Sequence, residues 1–292
     1  MAAADSDSPH FSKIDQIDDD FKKNFSLCIG PDKNIYFLNI ESYGDTQVFK
    51  LKNKFKYFVD LSSPDHDQIL IKPSCLCFGP NQDLYIFDLY SNCIFVFDKN
   101  YTLKFKIGSQ LSKYIQFDRV FGMCFDPTQK YLYVADSYNH RIQVFNRKGQ
   151  FKFHFGSYGS KYAQFNYPEA ICFGPNGLLY VSDTYNNRIQ VFDQDGMFKF
   201  TFGSYGSEKG QFKFPHDLCF SQDNLLCICD TQNNRIQVFN QNGEFQFQFG
   251  LEKEKENNLF HHPMSIVFDQ NDLSLYIGDS KHGIQVFKYF KS

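Results

Sequence analysis

Apolar and polar residues alternate with a period of two over short runs, and the runs recur along the chain. Phe151, Phe153 and Phe155 alternate with Lys152 and His154. Phe198, Phe200 and Phe202 alternate with Lys199 and Thr201, and Phe245, Phe247 and Phe249 with Gln246 and Gln248. Period-two alternation puts one set of side chains on each face of a strand, so these runs predict β-structure. Hydrophobic residues make up 42% of the chain and aromatics 18%, almost all of them Phe (36) and Tyr (18), which suits strands.

The alternating runs belong to a longer period. Arg-Ile-Gln-Val-Phe begins at Arg141, Arg188 and Arg235, and weaker copies end at Phe49, Phe97 and Phe287. The aligned valines are Val48, Val96, Val144, Val191, Val238 and Val286, with spacings of 48, 48, 47, 47 and 48 residues. Six copies fill almost the whole chain of 292 residues and leave no room for a second domain. In the fourth copy, strands are expected at 170–173, 178–182, 188–192 and 197–202. Gly174-Pro175-Asn176-Gly177 makes the first turn, Asp183 stops the second strand, and Asp195-Gly196 makes a hairpin turn, as do Lys148-Gly149 and Asn242-Gly243. Four strands per unit at this period predict an all-β, six-bladed propeller of four-stranded antiparallel blades. The blades fall at about 21–63, 70–110, 117–158, 165–205, 212–251 and 260–292, the last completed by 8–14.

That completion is inferred from register. The last repeat stops after its third strand. Phe21 lies nine residues before Gly30, as Phe165 does before Gly174, and ten residues upstream of each stand Phe11 and Phe155. His10-Phe11-Ser12 thus aligns with His154-Phe155-Gly156, and residues around Phe11 are expected to close the ring as the missing outer strand.

Charge and cysteine content narrow the setting. A net charge of −3 and a pI near 6.2 argue against a DNA-binding domain. There is no apolar run of bilayer length, and residues 1–9 read as neither secretory signal nor transit peptide, so a cytoplasmic protein without membrane contact is expected. The nine cysteines form no CxxC pair and are read as reduced core residues. Cys28, Cys77, Cys124, Cys172 and Cys219 share one position of the first strand, where Cys acts as a small hydrophobe.

The repeat resembles the NHL family, whose motif is roughly Asp-x-x-Asn-x-Arg-Ile-x-Val-Phe. It stands here as Asp136…Asn139…Arg141, Asp183…Asn186…Arg188 and Asp230…Asn233…Arg235, with degraded copies at Asp88…Asn92 and Asp279. The resemblance implies a six-bladed propeller. Similar propellers end tripartite-motif ubiquitin ligases, some of which bind RNA, and another branch is a zinc-dependent lyase. The chain carries no RING, B-box or coiled coil, so the resemblance implies no ligase activity for it. Within the motif, Asp is expected to close the second strand, Asn to shape the turn, and Arg to pair with a local carboxylate.

Aligning the repeats sets Phe25, Ser74, Phe121, Glu169, His216 and Met264 around the channel mouth. One Glu and one His do not make the three-ligand set of a catalytic zinc. No phosphate loop, nucleophile elbow or carboxylate pair appears. The expectation is therefore no catalytic residue, metal or cofactor, and no enzyme. Binding is expected on one loop face carrying Lys22, Lys23, Lys72, Arg119, Tyr167, Lys213, Phe214, His261 and His262. Acidic residues including Asp118 and Glu208 interleave with them, a mosaic suited to a protein or peptide partner of a monomeric propeller. Single-stranded RNA is the alternative ligand for the same basic and aromatic side chains.

Overall fold

The apolar pattern of each repeat differs between its middle and outer strands, and the fold shows why. In the fourth repeat, Pro168–Phe173, Leu179–Asp183, Arg188–Phe192 and Phe198–Phe202 pair antiparallel in chain order. The two middle strands are almost wholly buried, whereas the outer strand is half-buried with Lys199 exposed. A middle strand is covered on both faces by neighbouring blades and reads as a continuous apolar run. The outer strand has one wet face and reads as Phe-x-Phe-x-Phe. Six four-stranded sheets of this kind form the all-β propeller expected from the sequence. They are described for residues 10–17, 26–40, 46–52, 55–59, 61, 70–108, 116–250 and 259–290 of a computed structural model.

The third and fourth strands are joined by three-residue hairpin loops, closed by Asn146 N–H to Gln150 O, Asp193 N–H to Met197 O and Asn240 N–H to Glu244 O. The amide of Gly149 donates to the Asn146 carbonyl, Gly196 to Asp193 and Gly243 to Asn240. Each glycine has a left-handed φ of 73°, 78° or 79°, and the ladder slips by one residue beside the turn, as between Val144 and Phe145. These are hairpin turns at the positions the sequence indicated, each closed by a glycine bulge. Glycine is required twice over at 196, because a Cβ there would lie 2.6 Å from Phe155 of the preceding blade. Tyrosines latch the same turns across blades: the hydroxyls of Tyr133 and Tyr180 donate to the carbonyls of Gln194 and Gln241, both at 2.6 Å.

The ring closes through the N-terminal strand His10–Ile17, which adds to Pro263–Asp269, Ser274–Asp279 and Gly283–Phe290 as the outer strand of the sixth blade. The sixth blade in turn packs Ile284 and Val286 against Leu27 and Phe37 of the first. Closure was readable from the sequence, but its register was not. Alignment sets Phe11 opposite Ile284, as Phe155 lies opposite Ile142. Instead Ile17 faces Ile284 and Phe11 faces Tyr289. The third strand of this blade runs eight residues, so its partner slides outward until Phe11 reaches the apolar pocket made with Phe249 and Phe268. A bulge between Lys13 and Asp15 leaves Ile14 exposed. No described helix is long and apolar enough to cross a membrane.

Candidate functional site: the rim and the channel mouth

The Asp-Asn-Arg motif builds the rim and is not itself a free cationic surface. The Asp230 carboxylate accepts the Lys213 amide at 2.8 Å, the Asn233 side chain at 3.0 and 2.9 Å, Arg235 Nε at 2.6 Å and Gln237 Nε2 at 3.0 Å. Arg235 then donates to the carbonyls of Ser207, Glu208 and Gln211, which knits the preceding loop to the blade. Asp183 with Arg188 and Asp136 with Arg141 repeat the pattern at 2.7 and 2.8 Å. Local pairing of Arg with a carboxylate is thus as the sequence indicated.

The turn after each Asp sets the next blade's loop. His140, Asn187 and Asn234 have φ of 53°, 55° and 53°, in the left-handed region. Each offers a side-chain acceptor across the blade boundary. His140 Nδ1 takes the Tyr167 amide at 3.1 Å, Asn187 Oδ1 the Phe214 amide at 2.9 Å, and Asn234 Oδ1 the His262 amide at 2.9 Å. The three donors are themselves left-handed, with φ of 52°, 53° and 54°, and each precedes a proline, Pro168, Pro215 or Pro263. A non-glycine residue in that region costs roughly 1–2 kcal/mol. The cross-blade bond holds the strain and fixes where the side chain points.

The consequence is an aromatic crescent over blades three to five. Tyr138 meets Tyr167 at 4.7 Å between ring centroids, Tyr167 meets Tyr185 at 4.7 Å, and Tyr185 meets Phe214 at 4.9 Å. His140 joins it against both Tyr167 (4.7 Å) and Tyr158 (4.8 Å). Tyr158 and Tyr185 are 68% and 49% exposed, so the crescent faces solvent rather than a core. Cations flank it: Arg119 lies 4.4 Å over the Tyr138 ring, and Lys213 5.8 Å over Tyr205.

His140 makes part of this rim pH-sensitive. Burial holds its imidazole below the usual range, against the opposing pull of Asp183 and Asp136. As acceptor of the Tyr167 amide, Nδ1 carries no proton. The folded state thus favours the neutral ring, so its contribution is full above about pH 6.5 and is lost as pH falls through the lowered folded pKa. His140→Asn supplies the acceptor that Asn187 and Asn234 supply elsewhere. We expect the variant to match the wild type near neutral pH and to become the more stable protein below it, by about 1 kcal/mol, in thermal melts across that range.

Of the face residues expected from sequence, the structure brings Arg119, Tyr167, Lys213 and Phe214 to the crescent and sets His262 beside His261 at the neighbouring blade. Lys72 is exposed, with its amide bound to Asp88. Lys22, Lys23 and Phe25 lie outside the described residues. Tyr138, His140, Tyr158 and Tyr185 were missed. Their signal was present: Gly-Ser-Tyr-Gly recurs at 156–159 and 203–206, and tyrosine fills the same motif position at 138 and 185.

At the axis, the inner strands bulge where they meet the channel. Pro168 pairs with Asp183 and Ile171 with Val181, so Glu169 and Ala170 together face one residue, Ser182. Blade five repeats this between Pro215 and Leu218. Such bulges re-aim side chains, and here they bring His216 Nε2 to 3.0 Å from Glu169 Oε2. A cavity of about 170 Å³ opens beside the pair, lined also by Phe121, Met264 and Asp217. Ser74 of the expected mouth instead donates to the Val120 carbonyl at 2.7 Å, as an inter-blade tie. Burial pulls the His216 imidazole down, but the Glu169 carboxylate, Asp217 and the Met264 carbonyl together raise it above its usual value. Burial pushes Asp217 up to about 6, although it accepts the Ile266 and Leu218 amides at 2.8 Å each. Deeper in the channel the thiols are unpaired, and burial drives Cys77 up to about 12. Among the described residues no three His, Cys, Asp or Glu side chains are placed to hold a metal ion.

The NHL repeat model matches residues 121–145, 165–192 and 212–239. No curated protein matches the chain. Similar solved structures include a catalytically inactive virginiamycin B lyase from Staphylococcus aureus with Quinupristin, at TM-score 0.63 and 12% identity over 96% of this chain and 99% of that one. A streptogramin B lyase is similar at TM-score 0.61 and 12% identity, over 97% of each chain. A Bacteroides thetaiotaomicron protein of unknown function reaches TM-score 0.71 at 14% identity, over 97% of this chain and 73% of that one. These likenesses carry the fold. They also overturn the expectation that the chain is not an enzyme, because propellers similar to it along their whole length are lyases. Motif, sheet order and ring closure agree: the chain is a six-bladed β-propeller carrying NHL repeats.

Proposed function

We propose that the chain is a binding platform whose rim over blades three to five docks a segment of a protein partner. The observation that carries this reading is the crescent of Tyr138, Tyr167, Tyr185 and Phe214, solvent-facing and partly held in a strained backbone. Exposed tyrosines beside arginine are the side chains that dominate protein interfaces, because they offer large apolar area with a polar handle and little rotamer entropy to lose. The acidic Asp118 and Glu208 on neighbouring loops favour a peptide chain over a phosphate backbone.

The test compares pull-downs from the protein's own cells using wild type, Tyr158→Ala/Tyr185→Ala and Met197→Ala. Met197 is 63% exposed on an outer hairpin, away from the crescent. A stoichiometric protein retained by wild type and Met197→Ala, and lost by the double variant, supports the reading. Retention by all three overturns it. Recovery of nucleic acid that washes off steeply with salt would replace it with the RNA reading.

A further inference from the structure

We propose that the channel mouth is a second binding site, for a small amine with an apolar body about the size of one benzene ring. It is independent of the rim. Three observations lead there. First, the cavity of about 170 Å³ matches the size at which a protein void accepts a benzene-sized guest. Secondly, its chemistry is lopsided. Phe121, Met123, Leu27 and Met264 wall it with apolar surface, while Glu169, His216 and Asp217 gather on blades four and five. Thirdly, the pair between Glu169 and His216 is a contact of charges and not an aligned hydrogen bond, so the buried Oε2 of Glu169 has no hydrogen-bond partner.

A half-buried carboxylate without a hydrogen bond is costly unless a donor satisfies it. With Asp217 and His216 beside it, the polar end of the cavity holds two carboxyl groups against one imidazole. A cationic ammonium supplies several N–H donors and offsets the carboxylate charge, whereas an anion is repelled. The Glu169 and His216 side chains remain 13% and 18% exposed, so a ligand arriving along the channel reaches the pair, and its ammonium must part Glu169 from His216 to reach the enclosed Oε2.

The test is calorimetric titration near neutral pH with benzylamine, benzyl alcohol and benzoate. Benzylamine is expected to saturate one site, with at least about tenfold tighter binding than benzyl alcohol and no binding of benzoate. Glu169→Gln should erase the advantage of the amine, and Tyr185→Ala, on the rim, should keep it. Met264→Trp, which fills the cavity, should abolish binding of both ligands. The proposal is overturned if benzylamine shows no saturable binding, if it binds no better than the alcohol, or if its advantage survives in folded Glu169→Gln. If that variant does not fold, retained binding in Met264→Trp overturns it equally.

Discussion

Removal of residues 1–17 should lower the melting midpoint by on the order of 10 °C and promote self-association. The deleted segment contains the strand that closes the ring. Phe11 is 8% exposed and packs against Phe249 (5.4 Å), Tyr289 (5.0 Å), Phe268 (6.4 Å) and Phe247 (6.2 Å). Truncating a buried Phe to Ala costs about 3–5 kcal/mol, and for a domain of this size each kcal/mol moves the midpoint by roughly 2–4 °C. Loss of the strand also frees the edge of Gly283–Phe290 to pair with another chain. Calorimetry and size-exclusion chromatography measure the two effects. Phe11→Ala alone should reproduce most of the thermal loss, whereas Ile14→Ala, at an exposed bulge position, should stay within about 0.5 kcal/mol of wild type. An unchanged midpoint after truncation would mean that the ring is held by the packing of blade six on blade one and not by the outer strand.

The reason closure was legible while its register was not lies in what repeats. Val48, Val96, Val144, Val191, Val238 and Val286 are each buried in a hydrophobic cluster of their own, so their spacing is enforced by packing and survives in the sequence. Ile17 opposite Ile284 is a feature of one blade, set by an unusually long third strand, and no other copy predicts it. The candidate sites divide in the same way. Glu169 and His216 could be placed at the mouth by alignment, because the inner strands of blades two to six each begin one residue before that position. Their contact depends on two bulges in adjacent blades, which one chain read alone does not display. The crescent depends on left-handed Tyr167 and Phe214, held by acceptors 27 residues upstream in another blade. A local reading of Tyr-Pro or Phe-Pro points to extended backbone for the residue before proline. Cross-blade hydrogen bonding overrides it.

Among single substitutions, Asp230→Ala should be the most damaging, with a loss of at least about 3–5 kcal/mol in urea denaturation. The three motif arginines pair with equivalent aspartates, but their side chains are 19%, 12% and 2% exposed at Arg141, Arg188 and Arg235. An arginine left without its carboxylate can recover water in proportion to that exposure. The cost should therefore rise from Asp136→Ala through Asp183→Ala to Asp230→Ala. Equal costs would show that the carboxylate acts mainly through turn amides such as those of Asp118, Asn166 and Lys213, which all three aspartates bind alike. The same contrast appears in a double variant. Asp230→Leu with Arg235→Met removes both charges, and it should restore part of what Asp230→Ala loses, because an unpaired buried guanidinium costs more than the pair contributes. It should not restore the rim. Asp230 anchors the amide of Lys213, the residue before Phe214, so the end of the crescent loses its support in either variant. A double variant that regains stability while partner binding stays impaired would separate the motif's two tasks, neutralising a buried arginine and holding the aromatic rim.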